Sequence, residues 1–142
     1  MNDVSDVVEK LELEPHPEGG FFREMYRSEL TLPADALPNH DGPRSAGTSI
    51  LYLLPHGEES AWHRVASDEL WLYQGGEPMR LEMRPDQQTP PTEHIVGIDG
   101  ELQVLVPAGW WQAATPADGE LDYALVACVV VPGFDFADFE IA

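Results

Sequence analysis

A histidine and a glutamate lie close together in this sequence, next to a run of aromatic residues. His63 precedes Glu69, and Glu69, Trp71 and Tyr73 occupy alternate positions with leucines between them. Because successive side chains of a β-strand point to opposite faces, these three would share one face. A short turn at residues 66–68 would form a hairpin that brings His63 beside Glu69. An imidazole and a carboxylate facing an aromatic wall predict a small-molecule pocket.

The same residue types are suited to proton transfer. A histidine beside a carboxylate can abstract a proton near neutral pH, and a tyrosine across the pocket can return one to the opposite face, as epimerisation requires. We therefore predict His63 as the base, Glu69 as the group that orients it, and Tyr73 as the acid, with Tyr52 or Tyr26 as alternatives. A second interpretation is that His63 and Glu69 only hydrogen-bond each other, since buried charges persist when they are paired.

Ligand binding would need apolar walls and groups that hold polar substituents. Arginines are scarce in this sequence. Those in predicted strands are candidates to bind a carboxylate or phosphate, although each could equally belong to a surface ion pair. Trp110 and Trp111 are adjacent and must point in opposite directions if extended, and the sequence does not decide which faces the pocket. The predicted ligand-binding residues are Trp71, Arg23, Arg27, Tyr52, Trp111 and Gln112.

The composition excludes some partners and compartments. With 26 acidic and 7 basic residues among 142, the formal charge is −19, which repels phosphate backbones and anionic membranes. Neither a nucleic acid nor a membrane is expected as a partner. The one cysteine, Cys128, lies in an apolar run and is predicted to be a buried core residue, which fits a reducing compartment. No membrane span or signal peptide is indicated, so we expect a cytoplasmic protein.

The pattern of elements is that of an all-β protein. Val4, Val7, Val8 and Leu11 have helical spacing, which predicts one N-terminal helix at residues 3–12 with Asn2 or Asp3 as its N-cap. Short strand-like runs follow, connected by segments rich in Gly, Pro, Asp and Asn. Residues 31–45 carry several prolines and are predicted to form a long loop and mobile lid. The predicted strands are residues 21–30, 47–54, 60–66, 69–74, 78–84, 94–98, 102–106, 110–115 and 121–131.

Several spacings resemble the motifs of the cupins. Gly57, His63, Val65, Glu69 and Gly76 are spaced as in the first cupin motif, and Gly100, Pro107-Ala-Gly109 and Gln112 resemble the second. More of the chain is similar to one branch, the small cupin-5 proteins known as a domain of unknown function. The segments that carry this resemblance are His16-Pro-Glu-Gly-Gly-Phe-Phe-Arg23, Tyr26-Arg-Ser28, Thr48-Ser-Ile50, Trp62-His63-Arg64, Ser67-Asp-Glu-Leu-Trp71, Val106-Pro-Ala-Gly-Trp-Trp-Gln112 and Pro132-Gly-Phe-Asp-Phe-Ala-Asp-Phe139.

The resemblance implies a double-stranded β-helix, commonly a homodimer, similar to sugar-nucleotide epimerases and germins. It implies a single cupin domain over residues 1–142, with a helix and lead-in at 1–15 and the β-barrel at 16–142. Cupins usually hold a metal through three histidines and a glutamate. His63 and Glu69 match two of these positions, whereas Val65 cannot ligate and Gln112 would offer only a weak amide oxygen. We therefore expect no cofactor, and His63, Glu69 and Gln112 as the ligands if a divalent metal binds.

Together these observations predict a small-molecule-pocket cupin. The leading hypothesis is a metal-independent isomerase or epimerase-like enzyme acting on a sugar-like or acid-like metabolite. One alternative is a non-catalytic small-molecule binding protein, and another is a metal-dependent cupin enzyme with an incomplete ligand set. The sequence does not identify the substrate, and it does not decide whether the protein is catalytic.

Overall fold

The computed structural model describes residues 3–142. Its first element is a short amphipathic helix. Helix α1 spans Val4–Leu11, begins where the Asp3 side chain accepts a hydrogen bond from the Ser5 amide (2.8 Å), and ends at Glu12 in a left-handed conformation with φ 56°. Val7 is buried against Leu53 of the sheet beneath it. The predicted helix is confirmed with Asp3 as its N-cap, and the alternative cap Asn2 lies outside the described residues.

Strands alternate between buried and more exposed positions and form two main sheets. The first has six strands in the order β1-β2-β5-β12-β7-β10, with helix α1 packed on its outer side. Neighbouring strands in this sheet are antiparallel. Its strands are β1 (Glu14–Pro15), β2 (Phe21–Arg27), β5 (Thr48–Pro55), β7 (Asp68–Gly76), β10 (Gln103–Val106) and β12 (Tyr123–Val131).

The second main sheet has five antiparallel strands in the order β13-β6-β11-β8-β9. Its strands are β6 (Ser60–Val65), β8 (Met79–Arg84), β9 (Thr92–Val96), β11 (Trp111–Pro116) and β13 (Phe139–Ile141). A separate pair joins β3 (Thr31–Leu32) to β4 (Arg44–Ser45), and two 3₁₀ turns cover Ala34–Ala36 and Phe136–Asp138.

The hydrophobic core lies between the two main sheets. Trp71 and Val126 from the first sheet pack with Leu81 and Ala114 from the second, and each is almost fully buried. Period-two burial is clearest in β8 and β12, where inward and outward residues alternate along the strand. The protein therefore has the expected all-β fold, a double-stranded β-helix or jelly roll with a short N-terminal helix.

One local expectation was wrong. The strands that carry His63 and Glu69 do not form a hairpin: β6 pairs with β11 and β13, whereas β7 pairs with β10 and β12. The two residues between these strands carry the chain from one sheet to the other. Consequently His63 and Glu69 belong to different sheets. Both point into the interior, and they are not neighbours on the surface of one sheet.

The proline-rich segment 31–45 is held in place by a buried ion pair. Arg44 donates through Nε and Nη2 to both carboxylate oxygens of Asp138 (2.8 and 2.7 Å), and the side chains of both residues are about 5% exposed. His40 Nε2 lies 2.9 Å from the Ser67 hydroxyl. This segment is thereby fastened to the C-terminal region. Over residues 3–142, no helix has the length and apolar character needed to cross a membrane.

Candidate functional site

A small cavity lies between the two sheets, where acidic and imidazole groups meet an apolar wall. Its volume is about 30 Å³, enough for about one water molecule. Both sheets contribute, together with the loop before β2 and the segment after β12. The lining residues are His16, Glu18, Phe22, Thr48, Ile50, His63, Val65, Glu69, Cys128, Val130, Phe134 and Phe139.

His63 is at the centre of the polar side of this cavity and is 3% exposed. Its Nδ1 lies 2.7 Å from the carbonyl oxygen of Ala61, which can only accept, so Nδ1 carries a proton. Its Nε2 lies 2.8 Å from Glu18 Oε2. The contact is short but poorly aligned: within residues 3–142, Glu18 Oε2 is a buried oxygen that no well-oriented donor meets. Glu18 and His63 therefore form a close ion-pair contact in which one carboxylate oxygen keeps hydrogen-bonding capacity.

The loop before β2 places Glu18 at this position. The Glu18 amide donates to His16 Nδ1 (3.1 Å), and the Glu18 carbonyl accepts from the Ala61 amide (3.0 Å). Gly19 has φ +108°, and a Cβ there would lie 2.5 Å from the Glu59 carbonyl oxygen, so a larger residue would not fit. The Tyr52 hydroxyl donates to the Gly19 carbonyl (2.6 Å). The loop is thus fastened to β5 and β6.

The cavity shifts the protonation of its groups. Burial by itself lowers the pKa of His63, but the contact with Glu18 and the nearby charge of Glu69 outweigh it, so the pKa is raised above 6.5. Burial raises the pKa of Glu69 above 4.5 against the opposing effect of His63. Burial lowers the pKa of His16 below 6.5 despite the neighbouring Glu18. Relative to the free side chains, the protonated forms of His63 and of Glu69 are each stabilised, and so is the neutral form of His16.

A chain of hydrogen bonds joins the two sheets behind the cavity. Trp71 Nε1 donates to Gln112 Oε1 (2.8 Å), and Gln112 Nε2 donates to Glu69 Oε1 (2.9 Å). Gln112 is fully buried on β11, directly opposite His63 on β6. Glu69 is therefore fixed on β7 by a side chain that neighbours His63. Both ends of the Gln112 amide are used within the protein.

The aromatic residues predicted to form the pocket wall, Trp71 and Tyr73, do not line the cavity. Trp71 is 1% exposed and belongs to the core, where its ring packs edge-on against Tyr52 at 6.1 Å between centroids. The Tyr73 hydroxyl donates to the Gly76 carbonyl (2.7 Å), outside the cavity lining. Tyr52 is also behind the cavity, and burial raises the pKa of its hydroxyl. The apolar wall is formed instead by Phe22, Phe134 and Phe139.

The predicted arginines and Trp111 also lie outside this cavity. Arg23 contacts Glu12 (3.2 Å), and Arg27 binds Glu24 (2.6 Å) and the Phe134 carbonyl (3.1 Å). Trp111 is buried (4% exposed) beneath the Arg64 guanidinium, which lies 4.8 Å from its ring centroid. Trp110 is partly buried and packs against the core. Neither tryptophan lines the cavity.

The residues present do not fit the usual metal set of the cupins. Val65 lines the cavity at a position that cannot ligate, and the oxygen of Gln112 accepts from Trp71. His63 Nε2 is directed at Glu18. In the part of the chain that the structure describes, no three His, Cys, Asp or Glu side chains are grouped so that they could hold a metal ion.

Two polar residues of the cavity, His16 and Glu18, were not among the predicted site residues. They lie far from His63 in the sequence, in the segment His16-Pro-Glu-Gly-Gly20. The signal was present, because two adjacent glycines after a glutamate allow the backbone to approach another strand closely. Cys128 is buried as predicted, and it lines the cavity beside Glu69.

Comparison with known proteins identifies relatives over nearly the whole chain. The sequence model of the family described as "Cupin superfamily (DUF985)" matches residues 5–142. The uncharacterized protein YML079W of Saccharomyces cerevisiae is 30% identical over 150 residues, which cover 96% of this chain and 74% of the yeast protein.

Two solved structures are similar in both fold and sequence. A hypothetical protein from Leishmania major superposes with a TM-score of 0.86 at 33% identity and covers 99% of this chain and 88% of its own. Protein SO0799 from Shewanella oneidensis superposes with a TM-score of 0.84 at 36% identity, over 100% of this chain and 85% of its own.

Proposed function

This chain belongs to the cupin superfamily, and from that premise we propose that it is a metal-independent enzyme that moves protons on a small molecule held between its sheets. The observation that carries the proposal is that two proton-binding groups from different sheets line one cavity: His63, paired with Glu18, lies on β6, and Glu69 lies on β7. In the proposed reaction the Glu18–His63 pair acts on one face of the substrate and Glu69 on the other. Two-base epimerisation needs such groups on two sides of one carbon.

The reaction follows from the protonation of these groups. In its deprotonated form, the Glu18–His63 pair takes a proton from a carbon next to a carbonyl, and the electrons of the C–H bond move onto the carbonyl oxygen. The protonated Glu69, favoured by its raised pKa, then delivers its proton to the same carbon from the other wall as the carbonyl reforms. Proton exchange with solvent restores both groups.

The roles differ from those predicted from sequence. Glu69 takes the acid role that was assigned to Tyr73, because Tyr73 binds Gly76 away from the cavity. His63 was predicted as the base, but its Nδ1 lies against the Ala61 carbonyl and its Nε2 against Glu18. The Glu18 carboxylate therefore takes the proton from the substrate, and the His63 imidazole orients Glu18 and stabilises its charge. We carry forward the expectation that no cofactor takes part, supported by the poor match of Val65 and Gln112 to a ligand set.

A proton-exchange screen tests this proposal without knowledge of the product. The protein is incubated in D₂O with sugar nucleotides, hydroxy ketones and small acids, and deuterium incorporation is followed by NMR. We expect incorporation that falls by about 10²–10⁴-fold in His63→Ala, the usual contribution of acid–base catalysis by a pair such as Glu18–His63. The matched control is His56→Ala, because His56 is exposed and lies outside the cavity. Absence of incorporation with every compound would contradict the proposal.

A non-catalytic binding protein is the second candidate, favoured by the apolar side of the lining, which includes Phe22, Phe134 and Phe139. In that case, compounds that shift the NMR signals of His63 would bind without taking up deuterium. The two candidates are therefore separated by the same samples.

We also carry forward the proposal of a homodimer. On the outer face of the six-stranded sheet, Leu105, Leu70 and Val129 are cross-strand neighbours in one row, and all three are at least partly exposed. This row lies on the face that helix α1 covers only in part. Light scattering would give twice the chain mass of 15.7 kDa, and Leu70→Glu would lower it to that of the monomer. With a charge of −19, we propose no nucleic-acid or membrane partner.

A further inference from the structure

The Glu18 carboxylate offers the cavity an unused acceptor. Its side chain is 7% exposed, its Oε1 lies 3.7 Å from His16 Nδ1, and its Oε2 lies 2.8 Å from His63 Nε2. His16 Nδ1 already accepts from the Glu18 amide, so it has no proton to give when neutral. Within residues 3–142, Oε2 meets no aligned donor. Besides His63, this buried carboxylate oxygen has a second lone pair that can accept from a bound water or from a ligand.

Among the described residues that line the cavity, the one group that carries positive charge, His63, is already paired with Glu18. Of the residues described, those that line the cavity include two glutamates and two histidines but no arginine or lysine. Arg27 and Arg44 are bound to protein acids outside the cavity: Arg27 to Glu24, and Arg44 to Asp41 and Asp138. A carboxylate or phosphate placed beside Glu18 would therefore be buried next to a like charge, without a cation of its own.

An additional positive charge is also poorly matched. His63 already lies against the one carboxylate oxygen that lacks an aligned donor. Glu69 is held by Gln112, which donates to its Oε1. The remaining walls are apolar, formed by the rings of Phe22, Phe134 and Phe139 and by aliphatic side chains. The environment is thus suited to an uncharged group that brings one hydrogen-bond donor and presents C–H surface to aromatic rings.

We propose that the cavity selects an uncharged, hydroxyl-bearing end of its ligand, whose O–H donates to Glu18 Oε2, and that it excludes carboxylates and phosphates. This inference rests on the proposed function and narrows its substrate to neutral hydroxy-carbonyl compounds or sugars that enter by an uncharged end. The enclosed volume of about 30 Å³ admits about one such terminal group. Any charged part of a longer substrate stays outside.

Three probes with the same two-carbon skeleton test the selection. Ethylene glycol is neutral, glycolate is an anion and ethanolamine is a cation. Each is titrated into the full-length protein at neutral pH, and binding is followed through the NMR signals of the His63 ring. We expect ethylene glycol to bind at least about tenfold more tightly than either charged probe, which corresponds to one charge-assisted hydrogen bond.

The variant Glu18→Gln tests the proposed contact. Because it removes the carboxylate charge, it should weaken ethylene glycol binding about tenfold and reduce the discrimination against glycolate. Glu58→Gln, which changes an exposed glutamate outside the cavity, should alter neither. The comparison of the three probes in the unmodified protein needs no variant, so it stands even if Glu18→Gln does not fold.

Each outcome decides the inference. Equal or tighter binding of glycolate or ethanolamine, or no shift of His63 with ethylene glycol, would overturn it. The inference would also be overturned if Glu18→Gln discriminated against glycolate as strongly as the unmodified protein does. Selective glycol binding without deuterium incorporation in the exchange screen would retain the inference and reject the proton-transfer function. Deuterium incorporation only with anionic compounds that also shift the His63 signals would retain the proton-transfer function and reject the inference.

Discussion

Glu18 Oε2 lies 2.8 Å from His63 Nε2, although Glu18 belongs to the loop before β2 and His63 to β6 in the other main sheet. This contact sets the protonation of the cavity. Without it, burial would dominate, and burial favours the neutral imidazole.

Glu18→Gln should therefore lower the pKa of His63. In the unmodified protein, Glu18 contributes most to raising that pKa above 6.5 against the effect of burial. Titration of the His63 ring by NMR measures the change directly. Glu58→Gln should leave the titration as it is, since Glu58 is exposed and outside the cavity. An unchanged His63 pKa in Glu18→Gln would contradict the assigned contact.

Glu69→Gln should flatten the pH dependence of stability. The pKa of Glu69 is raised in the folded protein, so its contribution to stability is fully present below its ordinary value of 4.5 and is lost as pH rises through the folded value. The neighbouring groups are Glu18, His63 and Cys128. The pKa of His63 is also raised, so His63 adds a second loss of stability that begins near pH 6.5. This second loss is also present in the Glu69→Gln variant.

Denaturant unfolding between about pH 4 and pH 8 measures this effect. The unmodified protein should lose more stability over that window than Glu69→Gln, in which the amide oxygen can still accept from Gln112. Equal slopes for the two proteins would show that Glu69 titrates normally in the fold.

Gln112→Leu should destabilise the protein more than a surface substitution. Leucine would leave the Trp71 N–H and one oxygen of Glu69 buried without their partner. Loss of these two hydrogen bonds costs about 2–4 kcal/mol. Gln103→Leu, at an exposed position of β10, provides the matched control. A change in unfolding free energy equal to that of the control would exclude a structural role for the Trp71–Gln112–Glu69 chain.

The C-terminal aromatic residues Phe134, Phe136 and Phe139, here called the aromatic cover, should control access to the cavity. Phe139 stacks beside His63 at 5.3 Å, and Asp138 ties this segment to Arg44. Cys128, the one cysteine of the chain, lines the cavity and reports its opening. Arg44→Met should raise the rate of Cys128 thiol labelling about tenfold by freeing the cover.

Arg80→Met is the control for this experiment, because Arg80 is a surface residue paired with Glu93 on the second sheet. It should leave the labelling rate unchanged. Labelling that is equally fast in both variants, or unaffected by Arg44→Met, would show that the Arg44–Asp138 pair does not hold the cover.

Local patterns in the sequence were sufficient for most of the fold. Strand β12 runs over Tyr123–Val131 where a strand at 121–131 was predicted, and β6 and β11 agree within one residue at each end. Period-two alternation predicts such strands because each buries one face. The family resemblance supplied the arrangement of the two sheets, which no local pattern determines.

The site was less predictable because its residues come from distant segments. The alternation of Glu69, Trp71 and Tyr73 predicts one aromatic wall, and the register of β7 against β12 is regular through Tyr73 and shifts only beyond it. The wall fails because Trp71 is buried by packing from the other sheet and the Tyr73 hydroxyl binds Gly76. Glu18 reaches His63 only through tertiary contacts of the Gly19–Gly20 turn. No local sequence pattern shows that Glu18 lies close to His63, or that the chain changes sheets between β6 and β7.

The most direct measurement is deuterium incorporation, with stereochemistry, at the exchanging carbon of any compound found active in D₂O. If the Glu18–His63 pair and Glu69 act from opposite walls, the unmodified protein should incorporate deuterium with inversion, His63→Ala should lose about 10²–10⁴-fold in rate, and Glu69→Gln should exchange without inverting. Incorporation that persists undiminished in His63→Ala, or inversion that persists in Glu69→Gln, would contradict proton transfer by these residues.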